Sequence, residues 1–531
     1  MILYLSHGNV LLMISDISTL PDDPAELKRM LVNMAAENEL LREQMRQLFD
    51  KLFGRKSEVF RGLNPQLPLF DMPEPAQDNE PEPEEVTVAP HSRKKKGRKP
   101  LPEALPRVEV VHDIPEEEKV CSCGSHLSKI GEEICEKLDL IPAIIRVIRH
   151  IRPKYSCKSC EGVEDEGATV KIAPVPPQII PKSIASGGLL AHILTAKFED
   201  ALPFYRQEKQ FTRLGVDLGR ATMCNWAIKV AEHCQPLLNL LHSEILSGPL
   251  VNVDETTVQV LKEPDRSPTT KSYMWIFRGG PPNSPNVLFQ YHPGRAGEIA
   301  NTFLRDYQGA VQTDGYSGYN FLDSKKEVVH LGCWAHARRK FMEAEKARPK
   351  KTKPGSATVA LKHIQSLYGI EKKGKRLGLS GDELVLLREK EALVTLEVLR
   401  KWLEKISLTV TPQSLLGKAV SYTLKQWNRL AAYVYLADAS PDNNLAENAI
   451  RPFVVGRKNW LFAGTPEGAR ASAAIYTLIE TAKANKLDVY KYLRFLLENL
   501  PLAENTEDYK KLLPSKVSAE QISQITELSV V

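Results

Sequence analysis

Two aspartates and one glutamate have the residue types and settings from which phosphoryl-transfer chemistry is built. Asp254 lies inside LVNVDETTVQVL, whose alternation of apolar and polar residues is that of a β-strand, with Val251 and Val253 beside it. Strand interiors disfavour aspartate, and an ionised carboxylate taken out of water needs a partner or a metal. Asp314 ends a second strand-like run, GAVQTD, just before GYSGY, where an aspartate is also a good turn former. If the two strands are neighbours in one sheet, both carboxylates reach the same edge. Glu447, in PDNNLAENAIRPFVVGRKNWLF, is the candidate third acid. It has a local explanation too: Asn444 followed three residues later by Glu447 has the pattern of a capping box, and an acid there suits the helix dipole. Three such carboxylates would hold two Mg²⁺ ions roughly 3.5–4 Å apart, a geometry that supports in-line displacement at a phosphodiester. On an ideal helix Arg451 lies about 40° around from Glu447, and Lys458 about 20°. Both cations then share the carboxylate's face and suit phosphates. Pro452 is expected to kink or end that helix, which weakens the placement of Lys458.

The elements that must position these acids follow from the pattern between Leu250 and Cys333. LVNVDETTVQVL, SYMWIF and NVLFQYH read as strands with short turn-rich gaps, AGEIANTFLRDY as a helix, and GAVQTD and EVVHLGC as further strands. About a hundred residues of mostly helical pattern, including RPKKTKP at 348–354, separate this block from Glu447. Trp402 and Trp427 in that part, and Trp460 beyond Glu447, read as core residues, with an aromatic that stacks a base as the alternative. The expectation is a multidomain α+β protein.

Upstream, apolar positions recur as Leu27, Leu31, Met34, Asn38, Leu41, Met45, Leu48 and Leu52, in alternating steps of four and three. That is a heptad seam with one buried-position Asn, which fixes register and favours a parallel pair, so self-association as a homodimer is expected. A proline-rich linker follows, with EPEPEE and then SRKKKGRKPLP; Arg93, Lys94, Lys95, Lys96, Arg98 and Lys99 offer six positive charges to a phosphate backbone. CSCGSHL and YSCKSCEG place Cys121, Cys123, Cys157 and Cys160 as four thiolates for one structural zinc, with His126 or Cys135 able to replace a member of the tighter first pair. In FTRLGVDLGRATMCNWAIKVAEH a helix, a turn at Gly215 and a second helix bearing Arg220, Thr222 and Asn225 fit either a helix-turn-helix DNA reader or a plain helical hairpin.

Composition bounds the class. With 531 residues and 42% apolar content the chain forms several domains with real cores, and the net charge of +5 hides local clusters of basic residues. The opening MILYLSHGNVLLMIS is apolar but lacks a basic leader and is broken by His7, Gly8 and Asn9, so no signal peptide is expected and Met13 is an alternative start. No run approaches the roughly 20 apolar residues that cross a bilayer. Eight cysteines, four of them in two tight pairs, suit metal in a reducing compartment. A cytoplasmic location, with no membrane, is the expectation.

The blocks VNVDETTV, VQTDGYSGY, GCWAHARRKF and NNLAENAIRPFVVGRKNWLF resemble the signature blocks of the insertion sequence 66 family of transposases, over nearly the whole chain. The order of three strands, a helix and further strands resembles the ribonuclease H-like fold. The resemblance implies an Asp-Asp-Glu core that cuts and joins DNA with Mg²⁺ (or Mn²⁺), Asp254, Asp314 and Glu447 being the metal ligands, and a helical insertion before the glutamate. Cys333 and His336 have the CxxH spacing found after the second aspartate in several transposase groups; His336 buttresses the site, contacts DNA, or is simply packed in a helix start. The domain reading is a coiled coil at 1–60, a linker at 61–107, a zinc-binding segment at 108–165 and a helical DNA-binding region at 166–245. A catalytic core at 246–480, with its insertion at about 341–437, and a helical tail at 481–531 complete it. Partners would be transposon ends, target DNA, a second copy and accessory proteins of the same element. The rivals are a zinc-containing dimeric DNA-binding regulator without catalysis, and a metal-dependent nuclease that cuts without joining.

Overall fold

The computed structural model describes residues 23–53, 145–156, 170–348 and 355–522. The chain divides into two units, residues 1–55 with 151–531, and residues 56–150; the elements below belong to the first.

Helix α1, Pro24–Phe53, carries the heptad seam, and Leu31, Met34, Leu41, Met45 and Leu48 are exposed along it. Strands β1 (Lys154–Ser156) and β2 (Val170–Ile172) form a small antiparallel pair. Four helices follow: α2 (Gly187–Phe198), α3 (Phe204–Arg213), α4 (Arg220–His233) and α5 (Gln235–Leu246). Ser186 caps α2, its hydroxyl accepting from Leu189 N–H at 3.2 Å. The α3–α4 turn passes through Gly215 at φ +80°, a conformation that glycine adopts without strain. Met223, Trp226 and Val230 face the core on one stripe of α4.

β-Branched and aromatic residues then build the main sheet. Its strands are β3 (Leu250–Gln259), β4 (Lys271–Gly279), β5 (Asn286–His292), β6 (Gly309–Gln312) and β7 (Val328–Leu331), in the order β5-β4-β3-β6-β7. The β3–β4 and β4–β5 pairs are antiparallel, whereas β3–β6 and β6–β7 are parallel. A parallel pair needs a crossover, and the short helix α6 (Glu298–Phe303) lies on it, Phe303 stacking on Phe277 at 3.6 Å. The 3₁₀ turn Ser317–Ser324 joins β6 to β7.

After β7 come α7 (Trp334–Lys346), α8 (Ser356–Leu377), α9 (Gly381–Ser407), α10 (Leu415–Lys425) and α11 (Trp427–Ala431), and a 3₁₀ turn at Ala432–Tyr435. The chain returns to the sheet with α12 (Asn444–Trp460) and α13 (Pro466–Ala484), then ends in α14 (Val489–Asn499) and α15 (Thr506–Lys511). Helices α12 and α13 cover one face of the sheet through Phe289, Phe453 and Tyr476. The exposed edge of β5 is closed by side chains of α13: Thr477 Oγ1 accepts from Phe289 N–H at 2.8 Å, and Thr481 Oγ1 from Val287 N–H at 3.1 Å. One apolar core runs from Ile179 through the sheet to Ile522, so the helices before the sheet and those after it share it.

Pro452 does not end α12 as its type suggests; the helix runs through it to Trp460. Losing the proline N–H and crowding the preceding turn costs about 3 kcal/mol. Burial of Ile450 and Phe453 on the same helix returns about 1.5–3 kcal/mol each, and tertiary packing prevails. Among the described residues no helix is long and apolar enough to cross a membrane.

Candidate active site

The sheet brings the three acids together from distant parts of the chain. Asp254 sits in β3, the central strand, opposite Ile276 of β4. Asp314 lies two residues beyond the end of β6, the parallel neighbour of β3, and Glu447 stands in the first turn of α12, which packs on β3. Enclosure pushes the Asp254 carboxyl well above the ordinary carboxylate range, and the negative charges of Glu255, Glu447 and Asp314 push it the same way. A hydrogen bond from Glu255 N–H to Asp254 Oδ1, 2.8 Å, opposes them. Asp314 Oδ1 accepts from Tyr316 N–H at 2.9 Å, so its turn-forming role and its place beside Asp254 are met by one conformation.

Glu447 is not the capping-box acid that the sequence pattern suggests. Asn443, not Asn444, is the N-cap, and its side chain makes no cap hydrogen bond. Asp442 Oδ1 takes over, accepting from Asn444 N–H at 3.2 Å, while Asn443 is turned into the protein, Nδ2 donating to Val253 O at 2.9 Å. Glu447 therefore falls one position beyond the place from which a capping box reaches back. Its carboxylate instead meets α7, with Oε1 3.5 Å from His336 Nδ1 and Oε2 3.7 Å from Arg339 Nη2. Burial, and then the Arg339 charge, hold His336 below its ordinary pKa, which favours the neutral ring.

Cys333, His336 and Glu447 have donor atoms within 4.8 Å of one another. Burial pushes the Cys333 thiol up to about 12, and its sulfur accepts from Asn443 N–H at 3.3 Å. Without a cation, burial and this hydrogen bond leave the thiol a packed, protonated group. The oxygen donors of the three acids, by contrast, have the chemistry of a hard divalent cation site, crowding like charges that a cation would relieve.

Several groups at this site escape the sequence reading. Glu255, next to Asp254 on β3, accepts from the Tyr319 hydroxyl, and Arg295 Nε donates to its Oε1 at 2.6 Å. The Arg295 guanidinium lies over the Tyr316 ring at 3.8 Å from the centroid. Arg457 of α12 donates to the Thr256 and Thr257 hydroxyls of β3 at 3.2 and 3.1 Å. Arg451 is half-buried and Lys458 is exposed. Of these, only the adjacency of Glu255 to Asp254 left a trace in the sequence, since a second acid in one strand is as unexpected as the first.

The segment leading into Glu447 is clamped by the helices between β7 and α12. Arg388 of α9 donates from Nε and Nη2 to the two Glu371 oxygens at 2.8 and 2.7 Å. Its remaining N–H groups donate to the carbonyls of Tyr433, Leu436 and Ala439 at 3.2, 2.8 and 2.8 Å.

Arg220, Thr222 and Asn225 all lie on the exposed side of α4. Cys121, Cys123, Cys157 and Cys160, with the alternatives His126 and Cys135, lie outside the described residues, as do Arg93, Lys94, Lys95, Lys96, Arg98 and Lys99.

Comparison with known families gives concordant matches along the chain. Residues 182–471 match the family model described as "Transposase IS66 family", more than half of the chain. Residues 40–110 match "Transposase C of IS166 homeodomain", a leucine-zipper model, residues 118–161 the "zinc-finger binding domain of transposase IS66", and residues 477–515 the "IS66 C-terminal element". Two similar proteins are the uncharacterized proteins y4jD and y4qI of Sinorhizobium fredii (strain NBRC 101917 / NGR234). The first is 31% identical over 95% of this chain and 98% of the relative, and the second 28% identical over 94% and 98%.

Proposed function

The chain belongs to the transposase IS66 family, and from that premise we propose that it cuts and joins DNA at Asp254, Asp314 and Glu447, on a ribonuclease H-like core. The observation that carries this reading is the raised Asp254 carboxyl, crowded by Glu447 and Asp314 from elements far apart in the chain. A carboxyl strongly perturbed by burial and specific charged neighbours is a functional-site candidate. The three carboxylates would hold the divalent cations, Mg²⁺ or Mn²⁺, which when bound supply polarisation of the scissile phosphate and charge stabilisation of the attacking and departing oxygens.

The chain's own groups do the rest. His336 and Arg339 hold the Glu447 carboxylate from α7, and Arg451 and Lys458 offer positive charge to phosphates along α12. In the first step a water oxygen bonds to phosphorus as the bond to the 3′-oxygen breaks, leaving a 3′-hydroxyl and a 5′-phosphate. In the second, that 3′-hydroxyl attacks a target phosphodiester and the target's own 3′-oxygen departs with a proton. Neither step forms a bond to the protein. Self-association through the α1 seam would bring two transposon ends together, with α4, the basic run at 93–99 and the zinc-binding segment contributing to DNA binding.

Asp254→Asn tests the reading with transposon-end binding and strand transfer measured side by side. Retained end binding with lost strand transfer is the expected result. Unimpaired transfer would overturn the proposal in favour of a DNA-binding regulator, and nicked plasmid without joined ends from the unaltered chain would make it a nuclease.

A further inference from the structure

Beside the three acids lies a second triad, made of amides. Asn252, Gln312 and Asn443 are 1%, 0% and 1% exposed. Asn252 and Gln312 are register partners in the parallel β3–β6 pair. Asn252 Nδ2 donates to Gln312 Oε1 at 2.9 Å and to Asn443 Oδ1 at 3.0 Å, joining residues 191 positions apart in the latter case. Gln312 Nε2 donates to the carbonyls of Gly332 and Ser440 at 3.1 and 2.8 Å. Asn443 Nδ2 closes the network on Val253 O at 2.9 Å.

The placement of these amides mirrors that of the acids. Asn252 stands two residues before Asp254, Gln312 two before Asp314 and Asn443 four before Glu447. Two residues along a strand return to the same face, and four along a helix start to the same side. Asn252 therefore lies one side-chain repeat from Asp254 on β3, Gln312 ends β6 two residues before Asp314, and Asn443 caps α12 four residues before Glu447. A buried polar network whose members satisfy one another admits one arrangement, where an apolar contact would tolerate sliding. A shift of any amide is carried to its acid through only two to four residues of backbone.

We propose that Asn252, Gln312 and Asn443 are positioning residues that set the mutual spacing of Asp254, Asp314 and Glu447 for divalent-metal binding. The inference rests on the reading of those acids as metal ligands. Supporting residues one step removed from metal ligands typically change metal affinity by about 10–100-fold when altered, and that is the scale expected here.

The test uses the full chain, with Gln312→Met, Asn252→Ala and, as a reference, Asp254→Asn. Mn²⁺ binding is followed by electron paramagnetic resonance, strand transfer is titrated with metal, and folding is checked by circular dichroism. Expected for the two amide variants are native spectra, Mn²⁺ affinity lower by about tenfold or more, and strand transfer recovered as metal is raised, so that half-saturation moves further than the maximal rate. If Gln312→Met does not fold, Asn252→Ala, the smaller truncation, decides. Folded amide variants that bind Mn²⁺ like the unaltered chain, while Asp254→Asn does not, would overturn this inference alone. Undiminished Mn²⁺ binding by Asp254→Asn would instead overturn the reading of the acids on which it rests.

Discussion

Arg388 and Asp254 are both charged side chains enclosed by the protein, and their surroundings treat them in opposite ways. Arg388 is 1% exposed, and its five N–H groups all have acceptors, two on Glu371 and three on backbone carbonyls. Asp254 has one hydrogen bond, from Glu255 N–H, and three acidic neighbours that raise its proton affinity. The first charge is compensated within the fold and ties α8 and α9 to residues 433–439. The second is crowded by burial and by acids, which disfavour its ionised form. Buried charge that serves architecture is neutralised by the fold, whereas an acid that burial and like charges hold out of balance is a candidate for chemistry with a cation or substrate.

Substitutions at the two positions should therefore separate activity from stability. Asp254→Asn should lower strand transfer on the order of 10³-fold or more, with an unfolding temperature equal to or above that of the unaltered chain because a repelled charge is removed. A marked loss of melting temperature in calorimetry would put Asp254 in Arg388's class. Arg388→Met should do the reverse to the fold, costing about 3–5 kcal/mol and roughly 10 °C of melting temperature, with faster proteolysis around residues 433–443. A stable, protease-resistant Arg388→Met chain would break the comparison.

Metal sharpens it further. Divalent cation at about a hundred times its dissociation constant should stabilise the unaltered chain by about 3 kcal/mol, seen as a melting temperature that rises with Mn²⁺ and falls on chelation. That rise should vanish in Asp254→Asn and persist in Arg388→Met measured at a lower starting temperature. Chelation also strips structural zinc, so Mn²⁺ titration at constant zinc is the informative arm.

Glu480 gives the smallest expected effect and an intermediate case. It is buried in α13 with Lys483 Nζ 3.1 Å away, and that lysine is shared with Glu199, also at 3.1 Å. Burial outweighs the lysine and pushes the Glu480 carboxyl from 4.5 up to about 7. The folded chain then holds a proton that the unfolded chain has released between these values. The associated stability is fully present below the unfolded value and is lost as pH rises through about 7. Glu480→Gln should narrow the difference in melting temperature between pH 5 and pH 8 by about 2–4 °C. An unchanged difference would show that Lys483 keeps Glu480 ionised throughout.

Much of this arrangement is legible in the sequence because it is local. Alternation marks β3, and an aspartate within it stands out against strand preference. GAVQTD followed by GYSGY marks a strand and its turn, and the apolar period of FTRLGVDLGRATMCNWAIKVAEH marks two helices with Arg220, Thr222 and Asn225 outward. Asn444 illustrates the limit. Its spacing to Glu447 satisfies the capping rule, yet the helix begins one residue earlier in register because Asn443 finds better partners in β3 than at the helix end. Pro452 illustrates another, since the energy that keeps α12 continuous comes from residues it packs against.

What the sequence by itself determined is the type of the strongly patterned elements, because side-chain repeats of two and about 3.6 residues are properties of a few neighbouring positions. What only the tertiary structure decided is convergence: that Asp314 lies beside Asp254, that Glu447 meets His336 and Arg339, that Arg388 grips residues 433–439, and that three amides interlock next to three acids. Those contacts join residues up to 191 positions apart, and their choice depends on which packing buries the most apolar surface while leaving the fewest polar groups without partners.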